Sequence, residues 1–415
     1  MLGEETHGDG ATFLAKTRLI EFLHERMGFN VLAFESGFYD VHRAWNDLAS
    51  GANPTQAIRS GIFSLWTDVQ ETQALWHYVA EQSRTDHPLI LAGIDSQFTG
   101  TASKEHFLND LDAVLNDLPR DPQLLAARKR VSSVLTAYFE RGKGIGGLEA
   151  FQKQTTVADQ ARFYLACYTI RAQLEARNYS DPAAAARRDY WAQVLASTSI
   201  QMEHLWHEDF NRAATPSVPS DWATFNLRDR QMAENLVWLA RHEYANEKII
   251  VWAATSHEMR RRQLFTDEYE AYVPMGDWVD RQMGADVYTI GFTAFSGKAG
   301  MGEIGTARQG SLESLIDRTG HEYVFLDFRH LDSGGAWLMD PLPAWPLGYQ
   351  ADTTSWPAVI DGLFFIKTMT PSTPVALRAV RLRRAFDSTA ARSGRTTRPA
   401  WRAGLRRPAG RRKAR

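Results

Sequence analysis

Val31-Leu32-Ala33-Phe34-Glu35 is a short, unbroken apolar run that stops on an acid. Two further runs stop on an acid or a histidine, Leu89-Ile-Leu-Ala-Gly-Ile-Asp95 and Ile249-Ile-Val-Trp-Ala-Ala-Thr-Ser-His257. The chain opens on Gly3-Glu4-Glu5-Thr6-His7-Gly8, which places an acid and a histidine three residues apart between glycines. Continuous apolar runs of this length read as strands buried on both faces of a parallel sheet, and polar side chains at their carboxyl ends gather on one rim. Glu4, His7, Glu35, Asp95 and His257 are therefore expected to converge, and that convergence marks an enzyme.

The pattern between the runs supports an α/β fold. Phe13, Ile20, Leu23 and Met27 recur at helical spacing, and Gly28 is placed to stop that helix. Helical stretches at 39–49 and 68–81 lead into the run ending at Asp95, so residues 1–102 read as βαβ units with right-handed crossovers. Residues 103–245 show no strand pattern and read as a helical insertion able to wall the rim, with Met232, Leu236 and Leu239 on one face. Strands are expected again at 248–253, 286–291, 323–327 and 362–366, making 246–376 a second α/β half around a mainly parallel sheet.

Composition excludes several classes. The chain has 415 residues, 44% of them hydrophobic, enough for a large core, and no apolar stretch approaches the roughly 20 residues of a membrane span. Without an apolar signal core the expected compartment is the cytoplasm. A single cysteine, Cys167, rules out an internal disulfide and reads as a buried, inert thiol. The net charge of -2 hides an asymmetry, because 378–415 carries 14 Lys or Arg against one acid. Residues 377–415 therefore read as a disordered basic tail, able to touch nucleic acid by charge alone but more simply an appendage.

Other signatures fail in context. No Gly-x-Ser-x-Gly elbow is present. Gly142, Gly144 and Gly147 have dinucleotide-fingerprint spacing but follow a helical run where the motif needs a strand, so they read as a helix-to-helix loop. His204 and His207, flanked by Glu203 and Glu208, read as a solvated polar face, and most tryptophans, Trp66 and Trp252 among them, as core. In the rim set, a histidine beside carboxylates suits proton abstraction from water. No cofactor is required for this, although two histidines with two or three carboxylates could instead bind a divalent metal.

These residues resemble the erythromycin esterase family, which includes enzymes that open the lactone ring of macrolide antibiotics and so confer resistance to them. The resemblance rests on Gly3-Glu4-Glu5-Thr6-His7-Gly8, Ala33-Phe34-Glu35, Gly93-Ile94-Asp95, Arg228-Asp229 with Met232 and Asn235, Trp252-Ala253 through His257, Ile290-Gly291-Phe292 and Leu326-Asp327-Phe328-Arg329. It implies a hydrolase of carboxylic esters or macrolide lactones, with His7 as general base and Glu4, Glu35 and His257 as its supporting set. Arg18, Asp95 and Arg329 are the candidate substrate-binding residues. The alternatives are a metal-dependent hydrolase using the same residues, or a non-catalytic accessory of exopolysaccharide biosynthesis. The resemblance also implies a strand ahead of the motif. Only Met1 and Leu2 stand there, so that strand is expected to be truncated, leaving a gap beside the catalytic turn.

Overall fold

A computed structural model describes residues 1–118, 120–142, 144–208, 222–265 and 271–375. Met1–Pro374 form one compact unit. The expected basic tail at 377–415 and its nucleic-acid reading lie outside the described residues.

The fold is α/β. Strands β1 (Phe29–Gly37), β2 (Ile90–Asp95) and β3 (Lys248–Trp252) form a parallel set in the order β2-β1-β3. Strands β4 (Ile290–Ala299), β5 (Gly302–Thr306), β6 (Tyr323–Asp327) and β9 (Gly362–Met369) form a second set in the order β5-β4-β9-β6. Here β4 and β9 are parallel, whereas β5 and β6 pair antiparallel on the two edges. Strands β7 (Leu342–Ala344) and β8 (Asp352–Thr354) make a small hairpin apart from these. The sheet is thus mixed: β2-β1-β3 and β4-β9 pair in parallel, and β5 and β6 add antiparallel.

Leu2 joins the two sets. It bridges Trp252 of β3 and Ile290 of β4 in parallel, through Leu2 N–H to the Val251 carbonyl (2.8 Å) and Gly3 N–H to the Ile290 carbonyl (2.9 Å). The Ile290 N–H donates back to Met1 (2.9 Å). Where a gap was expected, these residues supply one bridging step, and it delivers the chain directly into the Gly3–Gly8 turn.

The two faces of the parallel set explain its unbroken apolar runs. Val31, Ala33, Ala92, Ile94, Val251 and Ala253 pack into one core beneath the helical segment 102–243, with Met202, Leu205, Met232 and Leu236. Leu32, Phe34, Leu91, Ile250 and Trp252 face the other way, onto Phe13 and Ile20 of the Gly10–Met27 helix and onto Trp66 and Trp76. Successive strand residues point to opposite faces, so a strand covered on both sides must be apolar at every position.

Several local expectations hold. Gly28 ends the first helix in the left-handed region (φ 69°) and its N–H caps the Leu23 carbonyl. The described residues between 102 and 243 are mainly helical, with long helices at Pro122–Glu140, Val157–Glu175, Pro182–His207 and Trp222–Trp238. Cys167 is buried. The loop reading of the three glycines holds only for Gly142, between the helix ending at Glu140 and the next; Gly144 and Gly147 belong to the helix Gly144–Gln154.

Candidate active site

The His7 turn is held from all sides. Asp9 is fully buried, and its carboxylate accepts from the Thr6 N–H (2.7 Å) and the Thr6 hydroxyl (2.8 Å). The Gly8 carbonyl accepts from the Ser372 N–H (2.8 Å), just past β9. Gly8 also presses on the β4–β5 hairpin tip, where a Cβ on Gly8 would stand 2.6 Å from Gly300 Cα. Only a glycine permits that approach.

Within the turn Glu4 is buried and receives four donors. Its Oε1 accepts from His7 Nδ1 (2.8 Å) and Trp66 Nε1 (3.1 Å). Its Oε2 accepts from Lys16 Nζ (3.0 Å) and Trp252 Nε1 (2.7 Å). A carboxylate on Nδ1 fixes the tautomer and leaves Nε2 of His7 with its lone pair directed away from Glu4. The His7 side chain is 38% exposed and packs edge-on against Trp66, with ring centroids 5.5 Å apart. Burial opposes its charged form, yet the hydrogen bond and charge of Glu4, aided by Glu35, outweigh this and raise its pKa.

A second cluster faces it. Glu35, at the carboxyl end of β1, accepts from Arg228 Nη2 (2.8 Å) on Oε1 and from the Ala254 N–H (3.0 Å) on Oε2. Asp95, ending β2, accepts Arg228 Nη2 at 2.6 Å and Nε at 3.1 Å. His257 follows β3 in the Thr255–Glu258 turn, with Nδ1 2.7 Å from Asp229 Oδ1 and Nε2 3.3 Å from Glu35 Oε1. Tyr272 donates its hydroxyl to the same Asp229 oxygen (3.0 Å). Burial works against charge on His257, but Asp229 and Glu35 lift its pKa to about 10. It is therefore an imidazolium at neutral pH, donating from both nitrogens, and the Arg228 Nη1 atom 3.3 Å from Nε2 is a like-charge contact held by the acids around it. Burial alone would raise the Glu35 pKa; His257 and Arg228 instead hold it well below the ordinary carboxylate range.

Five of the sequence-derived site residues thus meet on one rim: Glu4, His7, Glu35, Asp95 and His257. Asp95 meets it as the anchor of Arg228, whose fork it occupies. Two candidates do not converge. Arg18 is exposed on the outer side of the first helix, whose inner side carries Phe13, Lys16, Thr17 and Ile20. Arg329 follows β6, which runs antiparallel to β9 and pairs Asp327 with Gly362 at the start of β9. Its guanidinium is spent on Asp361 (2.9 Å), which Arg260 also holds (2.9 Å), and on the Ala285 and Val287 carbonyls.

Sequence reasoning missed Lys16, Arg228 and Asp229 as site groups, and read Trp66 and Trp252 only as core. A signal was present for the two cations. Lys16 falls between Phe13 and Ile20, and Arg228 lies one helical turn before Met232, so each is a charge on an apolar helix face and needs a buried acid. The His204 reading also changes: its side chain is buried against the Thr224 carbonyl (3.0 Å) and Glu208 (3.3 Å), while His207 is exposed.

The donor set does not suit the alternative of a divalent metal. Both Glu4 oxygens and both His257 nitrogens are engaged within the protein, and among the described residues no three His, Cys, Asp or Glu side chains converge as ligands. Also among the described residues, no helix is long and apolar enough to cross a membrane.

The profile of the erythromycin esterase family matches residues 24–369. The chain belongs to that family. Glu35, Asp95, Arg228, Asp229 and His257 fall inside the matched span, and Glu4 and His7 precede it. Two of its relatives match most of the chain. It is 28% identical to the putative hydrolase YbfO of Bacillus subtilis over 385 residues, covering 89% of this chain and 83% of that protein. It is 21% identical to the erythromycin esterase type II of Escherichia coli, covering 80% of each. Its fold is that of a mutant of the erythromycin esterase EreC in an open conformation, with a TM-score of 0.66 at 16% identity over 90% of this chain and 91% of that one.

Proposed function

We propose that this member of the erythromycin esterase family hydrolyses a carboxylic ester with water as the direct nucleophile, and that macrocyclic lactones are the first substrate class to try. The observation that carries this reading is the Glu4–His7 pair, with Nδ1 tied to a buried carboxylate and Nε2 left free of it, and with Glu35 and His257 close enough for their charges to act on the ring. In this reading His7 Nε2 takes a proton from water as its oxygen attacks the ester carbon, and Glu4 stabilises the imidazolium that forms. The carbonyl oxygen gains charge in that step, and the nearby cations His257 and Arg228 suit its stabilisation. The carbon–oxygen bond then breaks and His7 returns the proton to the departing alkoxide. Glu35, Asp95 and Asp229 hold the two cations in place.

The test is mass spectrometry of a panel of macrolides and aryl esters incubated with the purified protein and with a His7→Asn variant whose fold is verified by circular dichroism. A mass gain of one water (macrolide), or release of alcohol and acid (aryl ester), is expected from the wild type only. The variant should lose at least about 10²-fold in turnover. Retention of more than a tenth of the activity would remove His7 from the role of base.

A further inference from the structure

We propose that Trp66 is a positioning residue for His7: its indole N–H binds the very carboxylate oxygen that holds His7 Nδ1, and by drawing charge from that oxygen it sets how basic Nε2 is. The inference rests on the reading of His7 as the base.

Trp66 is 1% exposed, and Phe34 and Phe63 pack around it. Filling that space requires only an aromatic ring. The indole nitrogen does something a phenyl cannot, because Nε1–H is bonded at 3.1 Å to Glu4 Oε1, whose other donor is His7 Nδ1 at 2.8 Å. The same ring stands edge-on to the imidazole, so one side chain touches both members of the pair. Its own backbone is pinned in turn: the Trp66 carbonyl accepts from Trp76 Nε1 (3.0 Å) and the Thr72 hydroxyl. Trp252 donates to the other oxygen, Oε2, beside Lys16. Trp66 is thus the indole that competes with His7 for one atom.

The sign follows from that competition. A carboxylate oxygen sharing its charge with a second donor attracts an imidazolium less strongly, which lowers the pKa of the histidine relative to an unshared oxygen. Removing the Trp66 N–H should therefore raise the His7 pKa. The charged groups facing His7 are Glu4 in its own turn, Glu35 at the end of β1 and His257 after β3, with Lys16 acting through Glu4 from the first helix. None of these changes in the substitution.

The experiment is an NMR titration of the His7 ring in the wild type and in Trp66→Phe, assigned by its loss in His7→Asn. An upward shift of roughly half a unit or more is expected, equivalent to about threefold less free base on the acid side. If Trp66→Phe folds poorly, site-specific replacement of Trp66 by benzothienylalanine keeps the bicyclic shape while substituting sulfur for N–H, and the same shift is expected. An unchanged or lowered His7 pKa in a folded sample would overturn the proposal. The titration needs no substrate, so a wild type that hydrolyses nothing would defeat the ester-hydrolase reading while leaving this result to stand on its own. Where turnover is measurable, the acid limb of kcat/KM should move with the titration; a merely structural tryptophan would lower kcat/KM without moving it.

Discussion

Glu258 sits one residue beyond His257 with 1% of its surface exposed and no hydrogen-bond partner for either carboxylate oxygen among the described residues. Burial pushes its pKa up to about 8, while the amino group of Met1 and Lys16 pull it back and Glu4 and Glu35 reinforce it. A carboxyl whose folded pKa exceeds its unfolded one stabilises the fold fully below the unfolded value, near 4.5, and that contribution is lost as pH rises through about 8. Glu258→Gln preserves shape and removes the titration. Its stability relative to wild type should improve by about 1 kcal/mol or more between pH 5 and pH 9, read from urea midpoints. An offset that stays constant across that range would show that Glu258 does not titrate there.

At the scale of elements, the Trp222–Trp238 helix carries the charge that locks the strand ends together. Arg228 spans Glu35 of β1 and Asp95 of β2, and the neighbouring Asp229 holds His257 after β3. Arg228→Met leaves two buried carboxylates facing each other without their cation, a loss worth about 3–5 kcal/mol. Arg228→Lys should recover only part of it, because one ammonium cannot fork across both acids. Denaturant unfolding checks this, and a cost under about 1 kcal/mol for Arg228→Met would mean the clamp is not holding the rim. The helix itself was legible from Met232, Leu236 and Leu239, and the strand ends from their apolar runs. Its attachment to them was not, since periodicity reports which face is buried and never what it is buried against. The Arg329 assignment failed for a related reason. A five-residue apolar run looks the same in either direction, and only its pairing with β9 decides which rim its end reaches.

For the whole molecule, the rim is a network of alternating charges whose net effect on stability depends on pH. His257, with a folded pKa of about 10, contributes stability fully below about 6.5, its unfolded value, and loses it as pH rises through 10. Glu35, held well below the ordinary range, contributes above its unfolded pKa and loses it on acidification. Stability should therefore fall by a few kcal/mol from pH 7 to pH 10, and Asp229→Asn, by weakening the hold on the imidazolium, should flatten that alkaline slope while costing stability at pH 7. Thermal melts across the range test it, and an equal slope in wild type and variant would exclude His257 as its source. From composition and pattern alone the chain declared an α/β fold, the helical segment and five of the rim residues, because burial on both faces forces apolar runs and strand ends carry the polar exceptions. Tertiary structure alone decided that Leu2 joins two strand sets into one sheet, that Arg329 is engaged by Asp361, and that Lys16, Trp66, Trp252, Arg228 and Asp229 complete the site. Those are relations between residues far apart in sequence, and hydrogen bonds across such distances leave no periodic trace in the chain.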